Sequence, residues 1–262
     1  MKTRIISGIV MGVIVAAVLA AGYIWNTVVI TAAIGIISAI AVYELLHNAV
    51  KVESKFSLIG AMVFVFLNSF ISIGSDRSLL LAIAYFVYAA IFTLKNHKSF
   101  SLAHILGVCF APVALSTAFN FLNYIIINEK NIYYLLLLLN FSSVCDMGAY
   151  FVGVTLGKHK LCPEISPKKT VEGAVGGILS SMVFTVILFC IFTKNLWPPL
   201  LLTIPFCILG MIGDLFASAI KRSVDLKDYG NLIPGHGGIL DRLDSILMIA
   251  PVMGITMALG II

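Results

Sequence analysis

The sequence has few charged residues. Asp, Glu, Lys and Arg make up 11% of its 262 residues, against a hydrophobic content of 60%. Soluble globular domains carry roughly a quarter charged residues, so this scarcity excludes that class. The high hydrophobic content also excludes a disordered chain, because such chains stay uncollapsed through low hydrophobicity. We therefore predict an all-α, polytopic integral membrane protein.

Cysteine and the common nucleotide-binding and nucleophile motifs are also scarce or missing. The five cysteines form no Cys-x-x-Cys pair, so neither a disulfide scaffold nor a zinc site is predicted. No G-x-G-x-x-G or G-x-S-x-G run occurs. The segment from Gly153 to His159 looks like a phosphate loop. We reject it because its glycine spacing is one residue short and His159 stands where Ser or Thr would bind Mg²⁺.

Apolar stretches are abundant, and a helix needs about 20 such residues to cross a bilayer. We predict about nine spans: 5–24, 26–46, 57–74, 79–94, 102–126, 132–155, 173–193, 199–220 and 244–262. Cytoplasmic loops collect Lys and Arg. With the N-terminus inside, only Arg77, Lys130 and Lys194 of the seventeen basic residues fall outside. The N-terminus is therefore predicted to be cytoplasmic, and the spread of cations argues against nucleic acid as a partner.

Polarity divides the chain near residue 140. Residues 1–140 carry almost only the charges that set topology, so we predict a scaffold that gives access to lipid. Residues 141–262 hold most of the carboxylates and two polar cytoplasmic segments, 156–172 and 221–243, and are predicted to be the catalytic region. Glu44, at the end of the second span, is interpreted as an ordinary interfacial acid.

Two aspartates lie within predicted spans, Asp146 in the sixth and Asp214 in the eighth. Because an aspartate at the centre of a membrane helix costs about 2.5–3.5 kcal/mol, it normally faces a cavity, a partner or an ion. Asp241 and Asp244 share a helix face where the ninth span begins. Spacing predicts one polar face for the eighth span: Asp214, Ser218, Lys221 and Asp225. Carboxylates are the ligands that Mg²⁺ takes, so a divalent metal site is predicted.

Two cationic segments flank these acids. Lys168, Lys169 and Thr170 precede the seventh span, where helix N–H groups favour phosphate, although contact with lipid headgroups is the alternative. Gly173 and Gly177 have a G-x-x-x-G spacing, which we interpret as helix packing. In the second segment, glycines around His236 permit close backbone approach to phosphate oxygens. Cations there alternate with acids: Lys221, Arg222, Asp225, Lys227, Asp228, His236, Asp241, Arg242 and Asp244.

The second segment closely resembles the signature of the phosphatidate cytidylyltransferase family, the CDP-diacylglycerol synthases. The matching positions are Ser218, Ile220, Lys221, Arg222, Lys227, Asp228, Gly230, Ile233, Pro234, His236, Gly237, Gly238, Ile239, Asp241, Arg242, Leu243 and Asp244. A second family block is similar to residues 146–150 and 157–173. Met147 stands where Thr is usual in the family, and Val154 where Arg is usual.

The resemblance implies transfer of CMP from CTP to phosphatidic acid, giving CDP-diacylglycerol and pyrophosphate. It implies Mg²⁺ held by Asp214 and Asp241, with a second, monovalent cation such as K⁺, and a homodimer. The distribution of Lys and Arg predicts that the active site faces the cytoplasm at the cell inner membrane, where cytosolic CTP and membrane phosphatidate meet. The implied catalytic residues are Asp214, Asp241, Lys221 and Arg222. The implied substrate-binding residues are Asp146, Ser166, Lys168, Lys169, Thr170, Ser218, Lys227, Asp228, His236, Gly237, Gly238, Arg242 and Asp244.

Two rival functions fit parts of this pattern. An ion-coupled transporter would use intramembrane acids as an ion path, but it needs no glycine-rich phosphate loop. Another polytopic lipid-phosphate transferase or kinase that uses CTP would share the phosphate chemistry. The Asp-Gly-x-x-Ala-Arg run of the CDP-alcohol phosphotransferases does not occur in the sequence.

Overall fold

The computed structural model describes residues 2–96, 100–127, 132–192 and 195–262, with side chains from residue 6 onward. Three lysines of the charge count, Lys98, Lys130 and Lys194, lie outside these residues. The chain divides into two compact units, each considered by itself below. The first comprises Met1–Ile127 and Leu226–Arg242, and the second comprises Asn128–Asp225 and Leu243–Ile262.

The first unit is built from five helices and a loop. Its helices are α1 (Lys2–Ile24), α2 (Val28–Tyr43), α3 (Lys55–Asn68), α4 (Asp76–Lys95) and α5 (Leu102–Ile127). Helix α2 continues into a π-helical turn, Glu44–Ala49, which we call the π turn. Single π-helical turns inside helices often occur at functional sites. Residues 226–242, which we call the signature loop, complete this unit.

Buried amides join the helices of the first unit. The Asn68 side chain donates to the Ser116 hydroxyl at 2.6 Å, which links α3 to α5. The Asn120 amide donates to the Asn68 carbonyl at 3.1 Å. Buried polar groups need such partners, because an unpaired one costs about 1–3 kcal/mol. These contacts fix α3 against α5 beside an apolar cluster that includes Phe64 and Tyr85.

The second unit contains five helices and a short hairpin. Helix α6 (Ile132–Leu139) continues through a π-helical turn, Asn140–Val144, into α7 (Cys145–Leu156). The other elements are β1 (Lys160–Cys162), β2 (Ser166–Thr170), α8 (Val171–Phe192), α9 (Trp197–Ser223) and α10 (Leu240–Ala258), whose first three residues belong to the first unit. The strands pair antiparallel, with Lys160 opposite Thr170. The sequence analysis predicted no strands in segment 156–172, so this hairpin corrects it.

Glycines bring α7 and α8 close together. A Cβ on Gly173 would lie 2.7 Å from the Ala149 carbonyl oxygen, and one on Gly177 would lie 2.5 Å from the Cys145 carbonyl oxygen. Backbone atoms cannot yield as a flexible side chain can, so glycine is needed at both positions. The interpretation of the G-x-x-x-G spacing as packing is confirmed.

Seven helical segments of the described chain are long and apolar enough to cross a membrane. They are Ile6–Ile24, Val28–Ala49, Asp76–Lys95, Leu102–Ile127, Ile132–Leu156, Val171–Phe192 and Trp197–Ser223. The other two predicted spans correspond to α3, which has 14 residues, and to α10, which begins with three charges in five residues. The chain is an all-α polytopic membrane protein. The count of nine and the cytoplasmic N-terminus stay predictions.

Candidate active site

Three carboxylates and two lysines of the second unit form what we call the acid–lysine cluster. The Lys169 ammonium lies 2.5 Å from Asp214 Oδ2. Asp146 on α7 lies within electrostatic range of both groups. Asp244 on α10 interacts with Asp214, with Asp146 and with Lys221. Acids from three helices are thus brought together with cations that offset their repulsion, as the sequence analysis expected for groups within membrane helices.

The hairpin separates the two adjacent lysines of the family block. Successive side chains of a strand point to opposite faces. On β2, Lys168 is exposed, whereas Lys169 is partly buried and reaches Asp214. Ser166 begins the same strand and is partly buried. The sequence pattern treated the two lysines as equivalent, but the structure brings only Lys169 into the acid–lysine cluster.

The junction between β2 and α8 is held by two side chains. The Thr170 hydroxyl accepts a hydrogen bond from the Gly173 N–H at 3.1 Å, so Thr170 caps α8. The Glu172 carboxylate accepts from the N–H groups of Lys158 and His159 at 3.0 and 3.1 Å. Thr170 was predicted to bind substrate, and in the structure its hydroxyl caps the helix. Glu172 fixes the turn that leads into β1, a role that sequence reasoning missed.

The polar face of α9 is present over most of its predicted length. The Ser218 hydroxyl donates to Asp214 Oδ1 at 3.4 Å, and Lys221 is buried one turn further on. Arg222 follows and is exposed. The prediction was wrong for Asp225, because α9 ends at Ser223 and Asp225 has a φ of 57°. A left-handed residue cannot continue a right-handed helix, so Asp225 does not share that face.

The signature loop borders a half-open polar pocket of about 510 Å³ in the first unit. Basic side chains line it together with one acid, backbone and two glycines: Lys227, Asp228, Asn231, Ile233, Pro234, Gly235, His236, Gly237 and Arg242. Gly235 and Gly237 have φ values of 77° and 88°, a region that favours glycine. The glycines are thus needed to turn the backbone around the pocket. Its lining suits a phosphate-bearing ligand.

Asp241 holds the two sides of the signature loop together. It is 6% exposed, and its Oδ2 accepts hydrogen bonds from the Tyr229 N–H at 2.7 Å and the Gly238 N–H at 3.0 Å. Hydrogen bonds from backbone N–H groups to a charged acceptor are the stronger kind. Asp241 therefore shapes the loop besides being a predicted metal ligand.

His236 is oriented by a residue that sequence reasoning missed. The Ser7 hydroxyl of α1 donates to the Pro234 carbonyl at 3.0 Å and lies 2.9 Å from His236 Nδ1. With the hydroxyl hydrogen used on Pro234, Nδ1 donates to Ser7, which assigns a proton to Nδ1. The Nε2 edge is the one left for a ligand in the pocket. No local signal in α1 could have indicated this contact.

Glu44 is not the interfacial acid that was expected. Its residue is 3% exposed, and its carboxylate accepts hydrogen bonds from the Ile239 and Leu240 N–H groups at 3.0 and 2.9 Å. It caps the first turn of α10, whose N–H groups have no partner within the helix. The prediction failed because the partner lies 196 residues away in the sequence.

The donor set suits a hard cation such as Mg²⁺. Asp214, Asp146 and Asp244 supply carboxylate oxygens in the second unit, and Asp241 supplies them in the first. The described residues contain no group of three or more His, Cys, Asp or Glu side chains arranged to hold a metal on their own. Mg²⁺ commonly binds through one or two carboxylates, with water and substrate phosphate at its other positions. Each unit by itself therefore offers carboxylates of the kind that a metal shared with substrate would use.

The departures from the family block lie at exposed positions. Met147 is 55% exposed and Val154 is 70% exposed, both on α7. Neither side chain takes part in the acid–lysine cluster. The α7 residue that takes part in the cluster is Asp146.

The chain belongs to the Cytidylyltransferase family, whose profile matches residues 2–259. It is similar to a phosphatidate cytidylyltransferase of Bacillus subtilis, 33% identical over 99% of this chain and 98% of the relative. It is also similar to those of Staphylococcus haemolyticus and Staphylococcus aureus, each 34% identical over 84% of this chain and 86% of the relative. The chain is therefore a nucleotidyltransferase enzyme of the membrane, and this membership argues against the ion-coupled transporter.

Proposed function

We propose that this chain transfers the cytidylyl group of CTP to phosphatidic acid, giving CDP-diacylglycerol and pyrophosphate. The relatives just described are named for this activity, and the matches cover 98% of the Bacillus subtilis relative and 86% of the Staphylococcus haemolyticus relative. The structural observation that carries the proposal is the pocket of the signature loop, in which Lys227, His236 and Arg242 surround glycine-rich backbone. Such a lining favours a polyphosphate.

The reaction is a substitution at phosphorus. A phosphate oxygen of phosphatidic acid forms a bond to the α-phosphorus of CTP. The bond from that phosphorus to the oxygen that bridges the α- and β-phosphorus breaks, and this oxygen leaves with pyrophosphate. Phosphatidate is already anionic near pH 7, so no general base is needed. The protein's task is to position the two phosphates and to offset their charge.

Cationic side chains are proposed to carry out that task. Lys227 and Arg242 bind phosphate groups in the pocket of the signature loop, and His236 joins them when its Nε2 also carries a proton. In the second unit, Lys169 and Lys221 lie among acids, and Lys168 and Arg222 are exposed to receive an anionic headgroup. Ser166, Ser218 and Asp228 are proposed to orient these groups through their hydroxyl and carboxylate oxygens.

Asp214 and Asp241 are the proposed metal ligands, each through carboxylate oxygen. When bound, Mg²⁺ supplies Lewis acidity and offsets charge on the phosphoryl oxygens. Asp146 and Asp244 are proposed to accept hydrogen bonds from metal-bound water. A second, monovalent cation such as K⁺ is part of the proposal, and the cluster of three carboxylates in the second unit supports it by its negative charge.

The site is proposed to face the cytoplasm at the bacterial inner membrane. The positive-inside distribution of Lys and Arg supports this orientation, and CTP is a cytosolic substrate. A homodimer is proposed on the resemblance to the family. Cysteine labelling from either side of the membrane tests the orientation, and the mass of the purified protein in detergent tests the dimer.

An assay of the purified chain tests the reaction. Radiolabelled CTP is incubated with phosphatidic acid in the presence of Mg²⁺ or EDTA and of K⁺ or Na⁺. Lipid and water-soluble products are then separated. We expect label in CDP-diacylglycerol and release of pyrophosphate only when both Mg²⁺ and phosphatidic acid are present. A phosphorylated lipid with release of CDP would instead indicate a CTP-dependent lipid kinase. Folded protein that forms no product with both cations would contradict the proposal.

A further inference from the structure

Glu44 lies at the point where α2 enters its π turn, and it contacts the signature loop. Both of its carboxylate oxygens are used: Oε1 accepts from Ile239 N–H and Oε2 from Leu240 N–H. The residue is almost fully buried. Burial of a carboxylate is costly unless hydrogen bonds replace its water, and the first turn of α10 supplies them. Glu44 thus fixes the backbone directly before Asp241.

Two signature glycines are explained by this carboxylate. A Cβ on Gly230 would lie 2.6 Å from Glu44 Oε1, and a Cβ on Gly238 would meet Glu44 Oε2 at 2.4 Å. Only Gly74, Gly235, Gly237 and Gly260 have positive φ among the glycines of the described chain. As long as the Glu44 carboxylate keeps its two hydrogen bonds, positions 230 and 238 have room only for glycine; neither glycine is there for an unusual backbone conformation.

The π turn and Asp241 hold the same parts of the loop. The Asn48 amide of the π turn donates to the Tyr229 carbonyl. Asp241 accepts from the Tyr229 N–H and the Gly238 N–H. The side of the loop around residue 229 and the side around residue 238 are therefore joined by Asp241 and anchored to the π turn by Asn48 and Glu44. A shift of Glu44 would move Asp241 and the glycine turn together.

We infer that Glu44 is a positioning residue for the cytidylyl transfer, acting through Asp241 and the Gly237–Gly238 turn. The inference rests on the proposed function. Both Glu44 carboxylate oxygens are used by backbone N–H groups, so Glu44 acts by setting the positions of Asp241 and the loop backbone. Small misplacements of reacting groups lower turnover strongly, so this role predicts an effect on kcat.

The first test compares Glu44→Gln with Glu53→Gln. Gln keeps the shape of the side chain but presents an NH₂ group to one of the two backbone N–H donors. Glu53 is exposed, so Glu53→Gln makes the same chemical change at the surface and serves as the matched control. We expect Glu44→Gln to lower kcat roughly 10- to 100-fold, with KM for CTP and phosphatidic acid nearly unchanged. Glu53→Gln should match the wild type. A purely structural role would lower the thermal midpoint and leave the kcat of the folded fraction as in the wild type, and this result would overturn the inference.

A second pair of variants decides the question if Glu44→Gln does not fold. Gly238→Ala forces a methyl group against the carboxylate, so its activity should fall. In Glu44→Asp/Gly238→Ala the acid is one methylene shorter and leaves room for that methyl group. We expect the double variant to be more active than Gly238→Ala alone, a non-additive result that contacting residues give. Equal or lower activity would overturn the inference.

Hydrogen exchange separates failure of this inference from failure of the proposed function. If the wild type makes no CDP-diacylglycerol, the proposed function fails whatever Glu44 does. In that case whichever of the Ile239 and Leu240 backbone amides faces the new NH₂ group should still exchange at least about tenfold faster in Glu44→Gln than in Glu53→Gln, because it loses its acceptor. Equal exchange in the two variants would show that Glu44 does not hold the loop.

Discussion

The signature loop and the acid–lysine cluster use the same residue type in opposite ways. In the first unit, the carboxylates of Glu44 and Asp241 accept hydrogen bonds from backbone N–H groups and so give the loop its shape. In the second unit, Asp146, Asp214 and Asp244 face lysines and one another. Glu44 and Asp241 therefore fix the backbone conformation of the loop. Asp146, Asp214 and Asp244 instead concentrate negative charge next to the lysines.

Acidic residues of the family motifs thus have two different roles, one structural and one electrostatic. An acid that satisfies backbone donors is needed for folding of the local chain, and its loss leaves buried N–H groups unpaired. An acid that repels neighbouring acids is unfavourable for folding and is balanced by nearby cations. Stability and activity should therefore respond differently to the same substitution in the two regions.

The largest effect is expected for Asp214→Asn. This change removes the charge that pairs with Lys169 and the proposed metal ligand, while it also relieves repulsion with Asp146 and Asp244. We expect turnover to fall roughly 1,000-fold, as loss of a strong electrostatic contact does, and the thermal midpoint to stay close to that of the wild type. Steady-state assays and thermal unfolding in detergent measure the two quantities. Asp76→Asn, at an exposed aspartate of α4, is the matched control; a wild-type rate for Asp214→Asn would refute the assignment.

Asp241→Asn is expected to affect both quantities. Turnover should fall by about two orders of magnitude because a proposed metal ligand loses its charge. Stability should also fall by about 2 kcal/mol, because hydrogen bonds to a charged acceptor exceed those to a neutral one. The same two measurements apply. If Asp241→Asn unfolds at the wild-type temperature, the contrast between the two regions is broken.

Gly173→Ala should give the smallest effect and mainly on stability. The added methyl group would press on the Ala149 carbonyl and on Gly153, so α7 and α8 must separate slightly. We expect a loss of about 1–2 kcal/mol, in the range for overpacking, with little change in KM. Gly12→Ala in α1, which has nothing within 4 Å of its added Cβ, is the control. Equal thermal midpoints for the two variants would contradict the close approach of α7 and α8.

Much of the candidate site could be predicted because its residues are close in sequence. The i, i+4 spacing of Asp214 and Ser218 indicated the contact that their side chains make. Glycines at 235 and 237 indicated a turn, and both have positive φ. Asp225 was misplaced because the helical spacing was extended past the residue at which α9 ends. The hairpin was missed because its strands have only three and five residues and no apolar alternation.

The sequence by itself determined the class of protein, the helices of the membrane region and the family. Hydropathy and motif spacing suffice for these because they are local properties of the chain. Only the tertiary structure decided which acids shape the loop and which face lysines. The reason is physical: an acid is assigned by the donors that reach it, and those donors come from distant segments. Glu44 meets α10 across 196 residues, and Lys169 meets Asp214 only because β2 directs adjacent lysines to opposite faces.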